Sequence, residues 1–216
     1  MVALWYEQGD VKRVSPQFRF QLQLTKHTPA ERCPTMTSLP DSSADRLKEP
    51  LVSRKIEVGG RSKFELLDDL KRASILLNDF AIQLLESEYF PATTESRTVN
   101  TIELTVRRLG YASGATTRQI VDTAAEMGLV SCPIELGPYM RLQYLDQPEG
   151  AHGVPPQTGQ APSGSITLMS DSLTADDEFP KGFYLRRIDG VLWLRGYRSG
   201  PEHIWNPDDH LVFISI

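Results

Sequence analysis

The chain is short of cysteine and has no long apolar run. Its 216 residues include only Cys33 and Cys132, too few for a disulfide framework or a zinc site built from cysteine pairs. No stretch approaches the roughly 18 apolar residues of a membrane span. The first residues lack the basic and apolar regions of a secretory signal, so we expect none. These absences predict free thiols in a cytoplasmic protein that does not enter a membrane.

The sequence also lacks the common signatures of nucleotide-binding proteins, serine hydrolases and metalloproteases. It contains no G-x-x-x-x-G-K-[ST], G-x-G-x-x-G, G-x-S-x-G or H-E-x-x-H. A net charge of -5 argues against nucleic-acid binding by bulk charge. We therefore expect no cofactor and no metal, and we favour a non-enzymatic protein whose oligomeric state is undefined.

The first 57 residues are predicted to be a poorly structured extension. Thr28–Pro50 is rich in Pro, Ser, Thr and charge, a composition typical of disorder. Phe18–Leu24 alternates apolar and polar residues, which indicates one strand that could join a sheet. Met36 is an alternative start to which we give the same weight as Met1. Residues 58–216 are predicted to form a single domain.

Two capping boxes mark helix starts in that domain. Ser62 is followed by Glu65, and Thr116 by Gln119, so that each side chain can satisfy a backbone N–H of the first turn. The apolar residues that follow recur at spacings of three and four. The predicted helices are Lys63–Glu88 and Thr117–Met127.

Alternating residues predict a largely antiparallel sheet, with a flexible Pro- and Gly-rich loop at 147–164. The fold class is therefore predicted as α+β, with the two helices packed on that sheet. An alternative groups residues 99–145 into a separate β-α-β unit. The predicted strands are Val99–Leu109, Tyr139–Leu145, Ile166–Met169, Phe183–Ile188, Val191–Tyr197 and Leu211–Ile216.

Asp189-Gly190 is the strongest local signal, because a two-residue Asp-Gly loop favours a type I′ hairpin turn. The turn fixes the register of the hairpin. One face is then apolar and the other carries alternating aromatic and guanidinium groups. That second face is our first ligand-binding candidate, against the simpler interpretation that its residues form ordinary cross-strand pairs. Its residues are Tyr184, Arg186, Trp193, Arg195 and Tyr197.

A second candidate lies in the predicted strand Tyr139–Leu145, where Arg141 and Gln143 would share a face. They could bind a polar ligand, although a solvent-facing strand surface followed by a turn is the favoured explanation. A small hydrolase or nucleic-acid-processing enzyme is the alternative function. It would use Asp146, Glu135 and Arg141, which requires these groups to converge on one substrate.

Four residues near the C-terminus could in principle add to that chemistry. His203, Asp208, Asp209 and His210 are all metal-ligand types, and either histidine could serve as an acid or base. However, the intervening Asn-Pro-Asp-Asp is typical of a turn, so we predict no metal site here.

Two strings resemble a group of small uncharacterised bacterial proteins. They are Glu-Leu-Gly-Pro-Tyr-Met-Arg-Leu-Gln-Tyr-Leu-Asp-Gln from residue 135 and Phe-Pro-Lys-Gly-Phe-Tyr-Leu-Arg-Arg-Ile-Asp-Gly-Val-Leu-Trp-Leu-Arg-Gly-Tyr from residue 179. The resemblance covers residues 58–216 and implies a bacterial cytoplasmic protein, without an activity or site residues. Our leading hypothesis is a non-catalytic binding or regulatory module that uses the hairpin face to bind a protein or an anionic small molecule.

Overall fold

A computed structural model of the chain describes residues 51–151 and 160–215. The predictions for Phe18–Leu24, Thr28–Pro50 and Met36 lie outside the described residues. The strands are β1 Val52–Val58, β2 Leu76–Leu77, β3 Arg97–Thr105, β4 Ala115–Thr116, β5 Leu129–Val130, β6 Ile166–Leu168, β7 Gly182–Ile188, β8 Val191–Tyr197, β9 Ile204–Trp205 and β10 His210–Ser215. The helices are α1 Lys63–Arg72, α2 Asp79–Glu86, α3 Thr117–Glu126 and α4 Leu136–Gln143.

The strands form a large curled sheet, a half-barrel, with a small second sheet beside it. The order in the large sheet is β1-β3-β10-β6-β7-β8-β2, with β5 also paired to β10, and β4 pairs with β9 in the small sheet. The sheet is mixed, because β10 runs parallel to β6 and β2 runs parallel to β8. The predicted architecture of two helices on a largely antiparallel sheet is therefore wrong: the described residues contain four helices and a mixed sheet.

The first predicted helix, Lys63–Glu88, is in fact two helices. The Ser62–Glu65 capping box starts α1 as expected, but Ser74 adopts a left-handed conformation with φ of 55° and ends the helical path. After the short strand β2, Asn78 caps α2 by accepting a hydrogen bond from the N–H of Ala81. The leucine spacing continues across the break because both helices face the same core. Periodicity alone therefore does not reveal the break.

The predicted strand Tyr139–Leu145 is also wrong, since residues 136–143 form α4. Pro138 lies in the first helical turn, where its missing N–H has no intrahelical acceptor. Gly137 lets the helix approach β7, since a Cβ there would be 2.5 Å from the ring of Phe183. Residues 136–141 are all buried, so the alternation of apolar and polar side chains in this segment does not mark one buried and one exposed face.

Both faces of the large sheet are covered. One face packs against α1, α2 and α4 in a core that includes Leu70, Leu84 and Met140. The other packs against α3 and the small sheet, with Ile120 and Trp205 at its centre. The polar side of β3 is covered as well. The buried polar residues of β3 are Thr101, Glu103 and Thr105.

The hairpin is confirmed in both turn and register. Asp189 and Gly190 have φ of 52° and 75°, as a type I′ turn requires. Ile188 pairs with Val191, and the pairing continues to Gly182 with Tyr197. The α3 capping box of Thr116 and Gln119 is confirmed too.

The folded region begins earlier than the predicted boundary at residue 58. β1 runs from Val52 to Val58 and pairs along its whole length with β3. The ends of the predicted loop 147–164 are also well packed. Gln147 is fully buried, and the N–H of Gly150 donates to the carbonyl of Arg187 at 3.1 Å. The described ends of this loop are thus held against β7.

Candidate functional site

The predicted aromatic–arginine face of the hairpin is not an open surface. Tyr184, Arg186, Arg195 and Tyr197 are each at most 5% exposed, and Trp193 is half-buried. The Arg195 guanidinium lies 5.0 Å from the centre of the Trp193 ring. The two tyrosines belong to the second core. A role for these five residues in ligand binding stays a prediction, and their burial favours packing between the strands.

The proposed catalytic carboxylates are engaged elsewhere or lie at the surface. Glu135 is buried and accepts hydrogen bonds from Arg97 Nη2 and Thr93 Oγ1, both at 2.7 Å. Asp146 is exposed after the end of α4. Among the described residues, neither carboxylate forms a hydrogen bond or ion pair with Arg141. The structure therefore does not assemble the predicted acid–base set.

The four C-terminal ligand-type residues point to different neighbours. Asp208 forms an ion pair with Arg107, and His210 Nδ1 lies 2.8 Å from Glu103 Oε1. Among the described residues, no three His, Cys, Asp or Glu side chains gather as metal ligands would. Asp209 Oδ2 accepts the N–H of Asn206 within the turn.

His203 belongs to the second core rather than to a reactive centre. Its ring packs edge-to-face on Trp205 with 4.8 Å between the ring centres. Burial lowers the pKa of His203, which favours the neutral imidazole. This position explains the histidine without a role as an acid or base.

The most unusual polar feature of the fold is a pair of arginines on the Tyr144 ring, with the Arg187 cation close to one of them. We call Arg54, Arg141, Arg187 and Tyr144 the arginine cluster. The Arg54 guanidinium lies 4.1 Å from the centre of the Tyr144 ring, and that of Arg141 lies 5.8 Å from it. Both contacts fall within the range of cation–π attraction. The cluster joins β1, β7 and α4 at the rim of the first core.

Arg141 is the exceptional member, because its side chain is fully buried and forms no ion pair with a carboxylate of the described residues. Its Nη1 donates to Gln147 Oε1 at 2.5 Å, whereas Nε and Nη2 have no hydrogen-bond partner in the described part of the chain. Burial is the main reason that the pKa of Arg141 falls to about 10, and the nearby Arg187 cation lowers it as well. The guanidinium nevertheless remains charged at neutral pH.

The other two arginines are already paired with carboxylates. Arg54 Nη1 lies 2.7 Å from Glu103 Oε2, and Arg187 Nε lies 3.4 Å from Glu149 Oε2. Burial alone would raise the pKa of Glu103, but hydrogen bonds from His210 and Arg54 outweigh it and lower the pKa. Both carboxylates are therefore committed to other cations, and neither is an acceptor for Arg141.

Gln147 holds Arg141 in place. Its Nε2 donates to the carbonyls of Gly164 at 2.9 Å and Leu185 at 3.1 Å, which fixes the orientation of the amide. The same amide then presents Oε1 to Arg141 Nη1. One edge of the guanidinium is thus positioned by the protein, while the other edge carries two unused donors.

Gln143 was predicted to share a ligand-binding face with Arg141, but its side chain has a different role. Its side-chain amide docks on the outer edge of β1, where it accepts from the Glu57 N–H at 3.0 Å and donates to the Glu57 carbonyl at 2.8 Å. It therefore caps an edge strand. Gln143 also lines a cleft of about 470 Å³ between β1, α1 and α4, in which Arg61 and Asp69 pair with each other at 2.8 Å.

Sequence reasoning identified Arg141 but not the residues around it. Tyr144 was placed in the predicted strand Tyr139–Leu145, and Gln147 was assigned to a flexible loop. Arg54 precedes the predicted domain, and Glu103 was not identified as a candidate residue. Arg54 and Glu103 lie 49 positions apart in the chain, so no local pattern in the sequence signals their pairing.

Comparisons with protein-family models, curated proteins and solved structures found no match to this chain. Within the described residues, no helix is long and apolar enough to cross a membrane.

Proposed function

We propose that the protein is a non-catalytic binding module for a small anionic molecule held at the arginine cluster. The observation that carries the proposal is the fully buried Arg141. Within residues 51–151 and 160–215, two of its donor nitrogens have no acceptor and no carboxylate pairs with it. Buried charges are ordinarily paired, because an isolated ion loses its hydration without compensation. A bound anion would supply the missing charge and accept both hydrogen bonds.

Binding is favoured over catalysis by the positions of the acid–base candidates. Glu135 is bound to Arg97 and Thr93, and Asp146 lies at the surface. General acid–base chemistry needs such groups within hydrogen-bond reach of one substrate. A reducing cytoplasmic setting remains part of the proposal, consistent with the free and buried thiol of Cys132. The bacterial resemblance stays a prediction and implies no activity.

The proposal is tested by anion-dependent thermal unfolding of the full chain at constant ionic strength. Sodium acetate, benzoate, phosphate and sulfate are compared, because an anion that binds the native state raises the unfolding temperature. At least one anion should stabilise the wild-type protein and have much less effect on Arg141→Gln. The matched control is Arg118→Gln, since the Arg118 side chain is 90% exposed on α3. Equal stabilisation of all three proteins contradicts the proposal.

A further inference from the structure

The unused donors of Arg141 lie on one edge of its guanidinium. Nη2 is the terminal nitrogen on the same side as the Nε–H, so the two N–H groups form a side-on fork. The remaining terminal nitrogen, Nη1, is the one bound by Gln147. A fork of this kind matches the two oxygens of a carboxylate or of a phosphate in a bidentate arrangement. Lysine has a single point charge and cannot reproduce it.

We infer that this edge of Arg141 binds the carboxylate of a small organic acid, with one oxygen on Nε and the other on Nη2. The inference rests on the proposed function and names its ligand class. It follows from the hydrogen bonds of Arg141: Nη1 already donates to Gln147, whereas Nε and Nη2, which form the side-on fork, have no partner among the described residues.

The local charge favours a monoanion. The cluster contains three guanidinium groups, and among the described residues the carboxylates paired with it are Glu103 and Glu149. One positive charge is left over when His210 is neutral. A monocarboxylate neutralises that charge, whereas a phosphate dianion would bury an excess negative charge. The charge count therefore selects a carboxylate over a phosphate that fits the same fork.

The aromatic neighbour favours an acid with a planar carbon skeleton. The Tyr144 ring lies beside the Arg141 guanidinium and is stacked by Arg54. A planar ring attached to the carboxylate could contact this aromatic surface while its oxygens meet the fork. Benzoate combines the two features, which makes it the probe for the test.

The experiment measures the affinity of the wild-type full chain for benzoate, benzamide and inorganic phosphate by isothermal titration calorimetry. Benzamide has the same shape as benzoate but no charge. We expect benzoate to bind at least about tenfold more tightly than either of the other two probes. This comparison needs no variant, so it does not depend on whether a substituted protein folds. Arg141→Lys should weaken benzoate binding at least about tenfold, and Arg118→Gln should leave it unchanged.

The outcomes separate the inference from the proposed function. If phosphate binds through Arg141 more tightly than benzoate, the carboxylate assignment is overturned while an anion-binding module stands. Equal affinity for benzoate and benzamide overturns it too, because the charge would then be irrelevant. Unchanged benzoate affinity in a folded Arg141→Lys overturns the side-on fork. If no anion binds the wild-type protein, both the inference and the proposed function fail.

Discussion

At the scale of single residues, Arg141 departs most from what its type suggests. Arginine is rarely buried without a paired charge, so a sequence argument assigns it to a solvent face. Here α4 carries it into the rim of the first core, where Gln147 satisfies one nitrogen only. The contact between Arg141 and Gln147 does not follow from the local sequence, because the Gln147 amide is held in place by the carbonyls of residues 164 and 185.

Arg141→Met should leave the free energy of unfolding unchanged or raise it when no ligand is present. The substitution removes a buried cation whose desolvation costs several kcal/mol, and it leaves Gln147 Oε1 without a donor at a cost of about 1–3 kcal/mol. Urea denaturation at pH 7 checks this. Glu103→Gln is the contrasting variant, and it should lose about 1–3 kcal/mol because Arg54 then lacks its carboxylate. A loss above about 3 kcal/mol in Arg141→Met would contradict the cost assigned to the unpaired charge.

Asp209→Asn should stabilise the protein at pH 8 and have little effect at pH 4. Burial is the main cause that raises the pKa of Asp209 from 3.8 to about 6. The native state therefore holds this proton more tightly than the unfolded state, and stability falls as pH rises from about 4 to 6. Above about pH 6, the substitution removes the cost of burying an ionised carboxylate, which is up to about 3 kcal/mol. The asparagine side chain can still accept the Asn206 N–H. A stability difference that does not change with pH would rule out this account.

At the scale of elements, local signals were reliable and non-local ones were not. The Asp189-Gly190 turn and both capping boxes are confirmed, because each depends on residues within a few positions of one another. The break at Ser74 was missed since the apolar spacing continues through it. The strand assigned to Tyr139–Leu145 was wrong because a segment buried on most sides has no reliable alternation.

Gly137→Ala should destabilise the contact between α4 and β7. A Cβ at this position would meet the Phe183 ring at 2.5 Å, and correcting such a clash typically costs about 1–3 kcal/mol. Chemical denaturation measures the loss. Gly128→Ala is a comparison variant in which only backbone strain acts, since its Cβ would meet no atom within 4 Å but its φ of 75° opposes a side chain. A loss in Gly137→Ala well below about 1 kcal/mol would show that the helix can move away freely.

At the scale of the whole molecule, the topology could not be derived from the sequence. β10 is the last strand in the chain, but it lies between β3 and β6, and β2 adds to the far edge beside β8. These pairings join distant segments, and periodicity does not specify which strands meet. The arginine cluster depends on this arrangement, because it draws Arg54, Arg141 and Arg187 from three separate regions.

Removal of β1 should destabilise the entire domain. A chain that begins at Val58 lacks nearly all of the strand that pairs with β3, and it loses Arg54 from the cluster. It should unfold at a clearly lower temperature than a chain that begins at Leu51, or aggregate, because β3 would become an exposed edge. Thermal unfolding of the two truncated chains makes the comparison. Identical unfolding temperatures would mean that β1 contributes little to the fold.

The most direct test of the central claim is an NMR titration that follows the Nε–H resonances of the arginine side chains while sodium benzoate is added. The resonance that disappears in Arg141→Lys is thereby assigned to Arg141. We predict that this signal shifts progressively and saturates, while that of the exposed Arg118, assigned with Arg118→Gln, does not move. An Arg141 Nε–H signal that stays unchanged at saturating benzoate would contradict the claim that its free edge is a carboxylate-binding site.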